Sequence, residues 1–149
     1  MTLLEKRQNL IGSLETIKDA QERFAWLITK GKAQEPMPAE LKIDCNQVEG
    51  CLSKLWFVPE YREGRCFFQS DSDSLIAKAM AGLLCDFYSG SHPREILKID
   101  PSFLGQVGIS QHLTPNRRNS VSKVWTKIHT FAADCLEQRA QEAPSMMSA

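Results

Sequence analysis

The cysteine at position 51 is the side chain of this sequence whose surroundings best suit covalent chemistry. It directly follows Gly50 and lies between two short apolar runs, in the stretch from Val48 to Trp56. A glycine widens the backbone conformations available beside the thiol, and surface loops often carry binding and catalytic residues. A thiol presented there acts as a nucleophile through its thiolate. Taken alone, the local sequence favours a structural role, in which Cys51 is a small apolar side chain packed in a turn, because free cysteines are among the most buried residues.

Composition indicates one ordinary globular domain, which we place at residues 1–140, followed by a disordered tail at 141–149. The chain has 149 residues, enough to bury a core without disulfides or metals. The chain has 18 lysine and arginine residues and 18 aspartate and glutamate residues, so its formal net charge is zero. No overall electrostatic field therefore attracts nucleic acid or anionic lipid. We therefore expect neither a nucleic-acid partner nor a membrane surface.

The cysteine count and the first residues of the chain bear on its location. The N-terminal stretch carries Glu5, Lys6 and Arg7 where a signal peptide has its apolar region. The cysteines are odd in number and irregularly spaced, which does not suit a disulfide framework. We expect a cytoplasmic protein with reduced thiols. The five cysteines are Cys45, Cys51, Cys66, Cys85 and Cys135.

The first thirty residues predict a pair of helices. Thr2 with Glu5, and later Asp19 with Glu22, match the capping-box pattern at a helix start. Apolar residues then recur at helical spacing. A glycine is common just past a helix end, so we expect Gly31 to end the second helix.

The middle of the sequence predicts a small sheet. Residues 42–48 alternate apolar and polar side chains, and 55–58 and 66–68 are aromatic or β-branched, as strands prefer. We expect a three-stranded antiparallel meander, with a turn at residues 59–64. Cys51 then lies in the connection between the first two strands.

The second half of the sequence predicts helices. Residues 70–74 are rich in the serine and aspartate that cap helix starts, so we interpret Asp71 and Asp73 as caps. From about Asn116, apolar residues recur every three or four positions, which predicts a long C-terminal helix. The order of elements favours an α+β domain in which helices cover one face of the sheet.

The sequence contains an ordered set of short motifs: Gly50-Cys51-x-Ser53-x-x-Trp56, Asp71-Ser72-Asp73 with Ile76 and Lys78, Tyr88-x-Gly90, Pro93-x-x-Ile96-Leu97, Asp100-Pro101, and Leu113-Thr114-Pro115-x-Arg117. Together these motifs resemble the SufE family of sulfur-acceptor proteins, which includes the CsdE branch. The resemblance spans roughly residues 1–135, including the spacing between motifs. The sequence departs from the family pattern at Leu52, Ala79 and Ser120.

The resemblance implies a SufE/NifU-like fold and a role as a sulfur relay. Family members accept persulfide sulfur from a cysteine desulfurase of the SufS or CsdA type, stimulate that enzyme, and pass the sulfur to a downstream iron–sulfur assembly scaffold. The acceptor would be Cys51, and the pyridoxal phosphate would belong to the partner. We therefore expect no cofactor and no metal in this chain, and we leave open whether such a carrier counts as an enzyme.

Five further residues are candidates for supporting Cys51 or contacting the partner. Gly50 would let the loop present the sulfur, and Ser53 would donate a hydrogen bond near it or satisfy the loop backbone. Lys54 and Arg117 are cations suited to stabilising a thiolate or docking the partner, although a solvated surface charge is the simpler role. A partner contact for Asp73 follows from the resemblance alone.

Two alternatives stay open at this point. The first is a metal or iron–sulfur scaffold that uses Cys45, Cys51 and Cys66, although structural zinc usually has paired ligands such as Cys-x-x-Cys, which the chain lacks. The second is a papain-like cysteine hydrolase, although the sequence shows no pattern for its histidine base or its oxyanion hole. The oligomeric state is a separate open question. An exposed apolar collar around Cys51 would attract a partner protein or a second copy of the chain, so a homodimer is possible.

Overall fold

The computed structural model describes the backbone of residues 1–147 and the side chains of residues 1–139. Helices and an antiparallel sheet share one hydrophobic core that extends in sequence from Leu3 to Cys135, which confirms the α+β class. Within the described part of the chain the helices are α1 (Leu3–Glu15), α2 (Ala20–Ala33), α3 (Leu75–Tyr88), α4 (Pro93–Lys98), α5 (Phe103–Gln106) and α6 (Pro115–Met147), and the strands are β1 (Leu55–Arg62) and β2 (Arg65–Ser72).

The two strands form a hairpin with a two-residue turn. Both turn residues have a positive φ, 51° at Glu63 and 79° at Gly64. Two such residues make the turn whose twist matches that of the flanking strands. The turn predicted at residues 59–64 is therefore too long, because β1 continues through Pro59, which pairs opposite Phe68. Proline is tolerated there because β1 lies at a sheet edge.

The prediction of a third strand at residues 42–48 is wrong. The segment instead contains a 3-10 turn at Asp44–Asn46, and the Asn46 side chain donates to the Leu41 carbonyl at 2.9 Å. Only its end reaches the sheet, where the Val48 amide donates to the Leu55 carbonyl at 2.7 Å and an isolated bridge forms. Short polar side chains that bond nearby backbone compete with a strand ladder. Among the described residues the sheet consequently has two strands.

The predicted N-terminal helix pair is confirmed. Thr2 and Glu5 form the capping box of α1, and the Asp19 side chain accepts from the Gln21 amide at the start of α2. Gly31, however, does not end α2. It lies inside the helix, where a Cβ atom would be 2.5 Å from the Ala79 Cβ of α3. The small side chains at these two positions allow the helix backbones to approach closely.

We expect Gly31→Ala to destabilise the protein by about 2 kcal/mol or more, because the added methyl overlaps Ala79 and forces α2 away from α3. Gly12→Ala in α1 is the matched control, since a Cβ there meets nothing within 4 Å. That control should gain about 0.5–1 kcal/mol from lower backbone entropy in the unfolded chain. Urea unfolding measures both, and equal stability of the two variants would contradict the close contact.

Helices α3 and α6 support the site. Ser74, rather than Asp71 or Asp73, caps α3 by accepting from the Ala77 amide. The α6 backbone is helical to Met147, and residues 148 and 149 lie outside the described residues. The side chains of the predicted tail, 141–149, also lie outside, so the domain boundary at residue 140 stays a prediction. In the described part of the chain, no helix is both long enough and apolar enough to cross a membrane.

Candidate functional site

Cys51 lies in the loop of residues 49–54, immediately before β1. The half-buried Cys51 packs against the margin of the hydrophobic core, whereas the next side chain, Leu52, is 82% exposed. Gly50 has φ 81°, a conformation that side chains rarely adopt. The glycine therefore permits the backbone turn that directs the following thiol between core and solvent.

The first turns of α6 hold this loop on both sides of the thiol. The Asn119 side-chain amide donates to the Gly50 carbonyl at 3.1 Å. The Arg117 guanidinium donates to the Ser53 hydroxyl oxygen at 2.8 Å. These contacts join residues 69 and 64 positions apart in the sequence. Cys51 thus lies between two anchored points, and α6 fixes the loop around it.

A third anchor fixes the end of the loop. The Lys54 carbonyl accepts from the Ser72 hydroxyl at 2.6 Å and from the Asp73 amide at 3.2 Å. The side chains of Lys54 and Asp73 are exposed. The contacts therefore bring Gly50, Ser53, Lys54, Asp73 and Arg117, all selected from the sequence, together with Cys51.

Beside these residues lies a buried carboxylate. Asp71 accepts from the Met37 amide at 2.9 Å and from the Ser72 amide at 2.8 Å, and Lys42 lies 3.1 Å away with Lys78 at 4.0 Å. Burial acts to raise the pKa of Asp71, but the two amides and Lys42 outweigh it, so the pKa lies below its ordinary value. Asp71 connects the 37–42 segment, β2 and α3 beneath the loop.

A cavity of about 270 Å³ opens next to the exposed Leu52 side chain. Arg117 also lines it, so the residue that anchors Ser53 faces this space. The remaining lining residues are Ile76, His112, Leu113, Thr114 and Asn116. The loop therefore borders a recess of mixed apolar and polar character.

The other thiols lie in different environments. Burial raises the pKa of Cys66 and of Cys85 to about 12, and burial also raises the pKa of Cys135. These three thiols stay protonated at neutral pH, which makes them poor nucleophiles. Cys45 is exposed in the 3-10 turn. Cys51 alone among the five combines partial exposure with a position in an anchored loop.

The three cysteines of the scaffold alternative do not form a ligand set. Cys66 is buried in β2 beside Cys135, whereas Cys45 is exposed. Throughout the part of the chain with described side chains, no three histidine, cysteine or acidic residues are grouped so that they could hold a metal ion. The sequence spacing, without a paired Cys-x-x-Cys, already disfavoured such a site.

The sequence did not reveal two residues of the site. Asn119 anchors Gly50, and a Cβ atom on Gly50 would lie 3.2 Å from the Lys123 ammonium. Lys123 therefore lies over the loop, at the residue before the thiol. The one available signal was their spacing on α6, because positions 119 and 123 share a helix face. That spacing identifies a face but not the loop that it contacts.

Comparisons with known proteins identify the family and the fold of the chain. A family model described as "SufE: Fe-S metabolism associated domain" matches residues 8–132. The chain is 30% identical over 131 residues to an uncharacterized SufE-like protein of Synechocystis, covering 88% of this chain and 82% of that protein. A solved structure, of a hypothetical protein from Thermus thermophilus, shares the fold with a TM-score of 0.72 at 18% identity, covering 89% of this chain and 96% of that one.

Two longer relatives carry more specific names. SufE-like protein 1 of Arabidopsis thaliana, chloroplastic/mitochondrial, is 32% identical, covering 94% of this chain and 38% of that protein. The cysteine desulfuration protein SufE of Plasmodium falciparum is 34% identical, covering 74% of this chain and 47% of that protein. The chain thus spans less than half of these two proteins. The family match over residues 8–132 confirms the resemblance found in the sequence, and the chain belongs to the SufE family.

Proposed function

We propose that this chain accepts sulfur as a persulfide on Cys51 from a pyridoxal-phosphate cysteine desulfurase and passes it on for iron–sulfur cluster assembly. Membership of the SufE family, associated with iron–sulfur metabolism, supports a sulfur-transfer role. The name of the Plasmodium relative supports a desulfurase as the partner class. The pyridoxal phosphate belongs to that partner in this proposal.

The observation that carries the proposal is the position of Cys51 between two anchored loop residues. A sulfur carrier must present its thiol to a second protein and shelter it from oxidants between encounters. A half-buried thiol at the margin of the core, beside the exposed Leu52, suits both needs. The buried thiols lack access, and Cys45 lacks the shelter.

The transfer step follows thiol–disulfide exchange. The Cys51 thiolate attacks the terminal sulfur of the partner's cysteine persulfide, and a new S–S bond forms. The S–S bond in the partner breaks, its electron pair stays on the partner's cysteine sulfur, and that thiolate later takes up a proton. One sulfur atom moves without net oxidation, because one S–S bond replaces another.

Arg117 acts in this proposal by holding Ser53 and thereby the loop. Its guanidinium bond to the Ser53 hydroxyl is charge-assisted, a class worth roughly 1.5–3 kcal/mol. Loss of that bond lets the loop sample positions in which the thiol does not face the partner. The fold does not depend on it, because Arg117 lies at the first turn of α6 and outside the core cluster.

We expect Arg117→Ala to slow sulfur transfer about tenfold or more while the variant stays folded, because the lost bond is only part of the total stability of a domain. Arg118→Ala is the matched control, because Arg118 is the exposed neighbour with the same charge. Persulfide formed in single-turnover reactions with the desulfurase measures the effect. Equal rates for the two variants would show that the Ser53 contact has no role in transfer.

The proposal as a whole is tested by desulfurase turnover. A desulfurase from the same organism, supplied with cysteine and reductant, should release sulfide faster when this chain is added. Chain that has been alkylated at its accessible thiols should give no increase. An unchanged rate with the untreated chain, for every desulfurase of the organism, would refute the proposal.

A further inference from the structure

A groove on the molecule, away from the Cys51 loop, collects positive charge. Its volume is about 830 Å³, and none of the residues that line it belongs to the loop or to the first turns of α6. We call it the basic groove. It lies among the start of α1, the start of β2, α4 and the later part of α6, and its lysine and arginine side chains are Arg65, Arg94, Lys98 and Arg139.

The acidic side chains of the basic groove are engaged at the start of α1. Glu5 bonds the Thr2 hydroxyl at 3.1 Å as part of the capping box, and Glu95 accepts from the Leu3 amide at 3.4 Å. Negative charge at a helix N-terminus is favourable in its own right. These carboxylates therefore have a structural explanation that does not require the cations around them.

The cations have no comparable explanation. Arg65 donates to the Gly90 carbonyl at 2.9 Å, which positions it but does not neutralise it. Arg94, Lys98 and Arg139 are exposed, and none of the ion pairs among the described side chains includes them. The chain has equal numbers of acidic and basic residues, so this concentration does not reflect a basic protein. The groove therefore carries four cationic side chains against two carboxylates, and like charges that line one cavity repel each other.

We propose that the basic groove binds a small molecule bearing two or more phosphate charges, such as a pyrophosphate group or a nucleoside diphosphate. Its volume falls in the range of about 300–1,000 Å³ that is typical of small-molecule sites. Three of the four cations are arginines, whose planar guanidinium groups match phosphate oxygens in pairs. His92 also lines the groove and adds a further donor. Because these groups come from separate elements around one cavity, they favour a compact anion over an extended acidic peptide.

The test is calorimetric titration of the full chain with inorganic pyrophosphate and, separately, with ADP, both without divalent metal. Saturable binding of at least one, with a dissociation constant below about 1 mM, is the expected result. Tighter binding of ADP than of pyrophosphate would assign the groove to nucleotides. Similar affinities would show recognition of the phosphates alone.

Two charge-matched variants decide whether the groove is the binding site. Arg94→Ala combined with Lys98→Ala should weaken binding about tenfold or more. Lys18→Ala combined with Lys32→Ala removes the same charge from exposed positions outside the groove and should leave binding unchanged. Circular dichroism checks that both variants are folded.

Three results would overturn the proposal: no saturable binding of either phosphate compound, equal weakening in the two double variants, or tighter binding of a glutamate-rich peptide than of both compounds. Cys51→Ser should bind the phosphate compounds as the unsubstituted chain does, because the loop does not line the groove. The outcome is therefore independent of the sulfur-transfer proposal.

Discussion

Replacing Cys51 with serine should abolish the stimulation of the desulfurase, so that the enzyme releases sulfide at the rate that it has alone. A serine hydroxyl cannot form a persulfide, so no sulfur leaves the partner by this route. The substitution is nearly isosteric at a half-buried position, and we expect stability to change by less than about 1 kcal/mol. Sulfide release in the presence of cysteine and reductant measures the loss, and urea unfolding confirms that the variant is folded.

Cys45→Ser is the matched control for this experiment. Cys45 is the exposed thiol of the 3-10 turn, six positions before Cys51. It should retain full stimulation, because Cys45 lines a different recess, between β1 and α6, and not the cavity beside Leu52. The reverse pattern, with activity lost on changing Cys45 and kept on changing Cys51, would contradict the assignment of the acceptor.

Asp71→Ala should cause a large loss of stability at neutral pH, about 3 kcal/mol. The substitution leaves the Met37 amide without its acceptor and separates Lys42 and Lys78 from the carboxylate that pairs with them. The two lysines keep some access to water, which limits the penalty. Asp73→Ala is the control, because Asp73 is exposed and should change the unfolding free energy by less than about 0.5 kcal/mol.

The same carboxylate predicts a pH dependence. The pKa of Asp71 is lower in the folded protein than its ordinary value of 3.8, so the folded state favours the ionised form. Its contribution is fully present above the unfolded pKa and is lost as pH falls below 3.8 through the folded pKa. Urea unfolding of Asp71→Ala should therefore depend less on pH in this acidic range than unfolding of the unsubstituted chain. Parallel pH profiles for the two proteins would contradict the ionised, paired state.

The sequence predicts structure correctly where contacts between residues a few positions apart determine it. Helix starts at Thr2 and Asp19 could be predicted because the capping residue and its partner lie within a few positions. The third strand could not be predicted correctly, because its alternating pattern fits a strand, and the Asn46 bond to Leu41 that stabilises a 3-10 turn depends on side-chain direction. The prediction that Gly31 ends α2 is wrong for a related reason, because the role of this glycine depends on Ala79 in a different helix.

In the candidate site, too, some residues could be predicted from the sequence and others could not. Cys51 and Arg117 can be predicted as site residues because they lie in short motifs that resemble a family, and such motifs are visible in a single sequence. The Asn119 contact with Gly50 joins positions 69 apart, and no periodicity predicts which loop a helix face will contact. The sequence predicts that Asp71 is a helix cap, because aspartate commonly precedes helices. Its burial, which makes it a structural anchor, is a property of the assembled fold.

The most direct test of the sulfur-acceptor proposal is to locate the transferred sulfur. After incubation with desulfurase and cysteine, the chain is alkylated, digested and analysed by peptide mass spectrometry. The proposal predicts a reductant-sensitive extra sulfur atom on the peptide that contains Cys51, and unmodified peptides for the other four cysteines. Extra sulfur on the Cys45 peptide, or on no peptide while the desulfurase turns over, would contradict it.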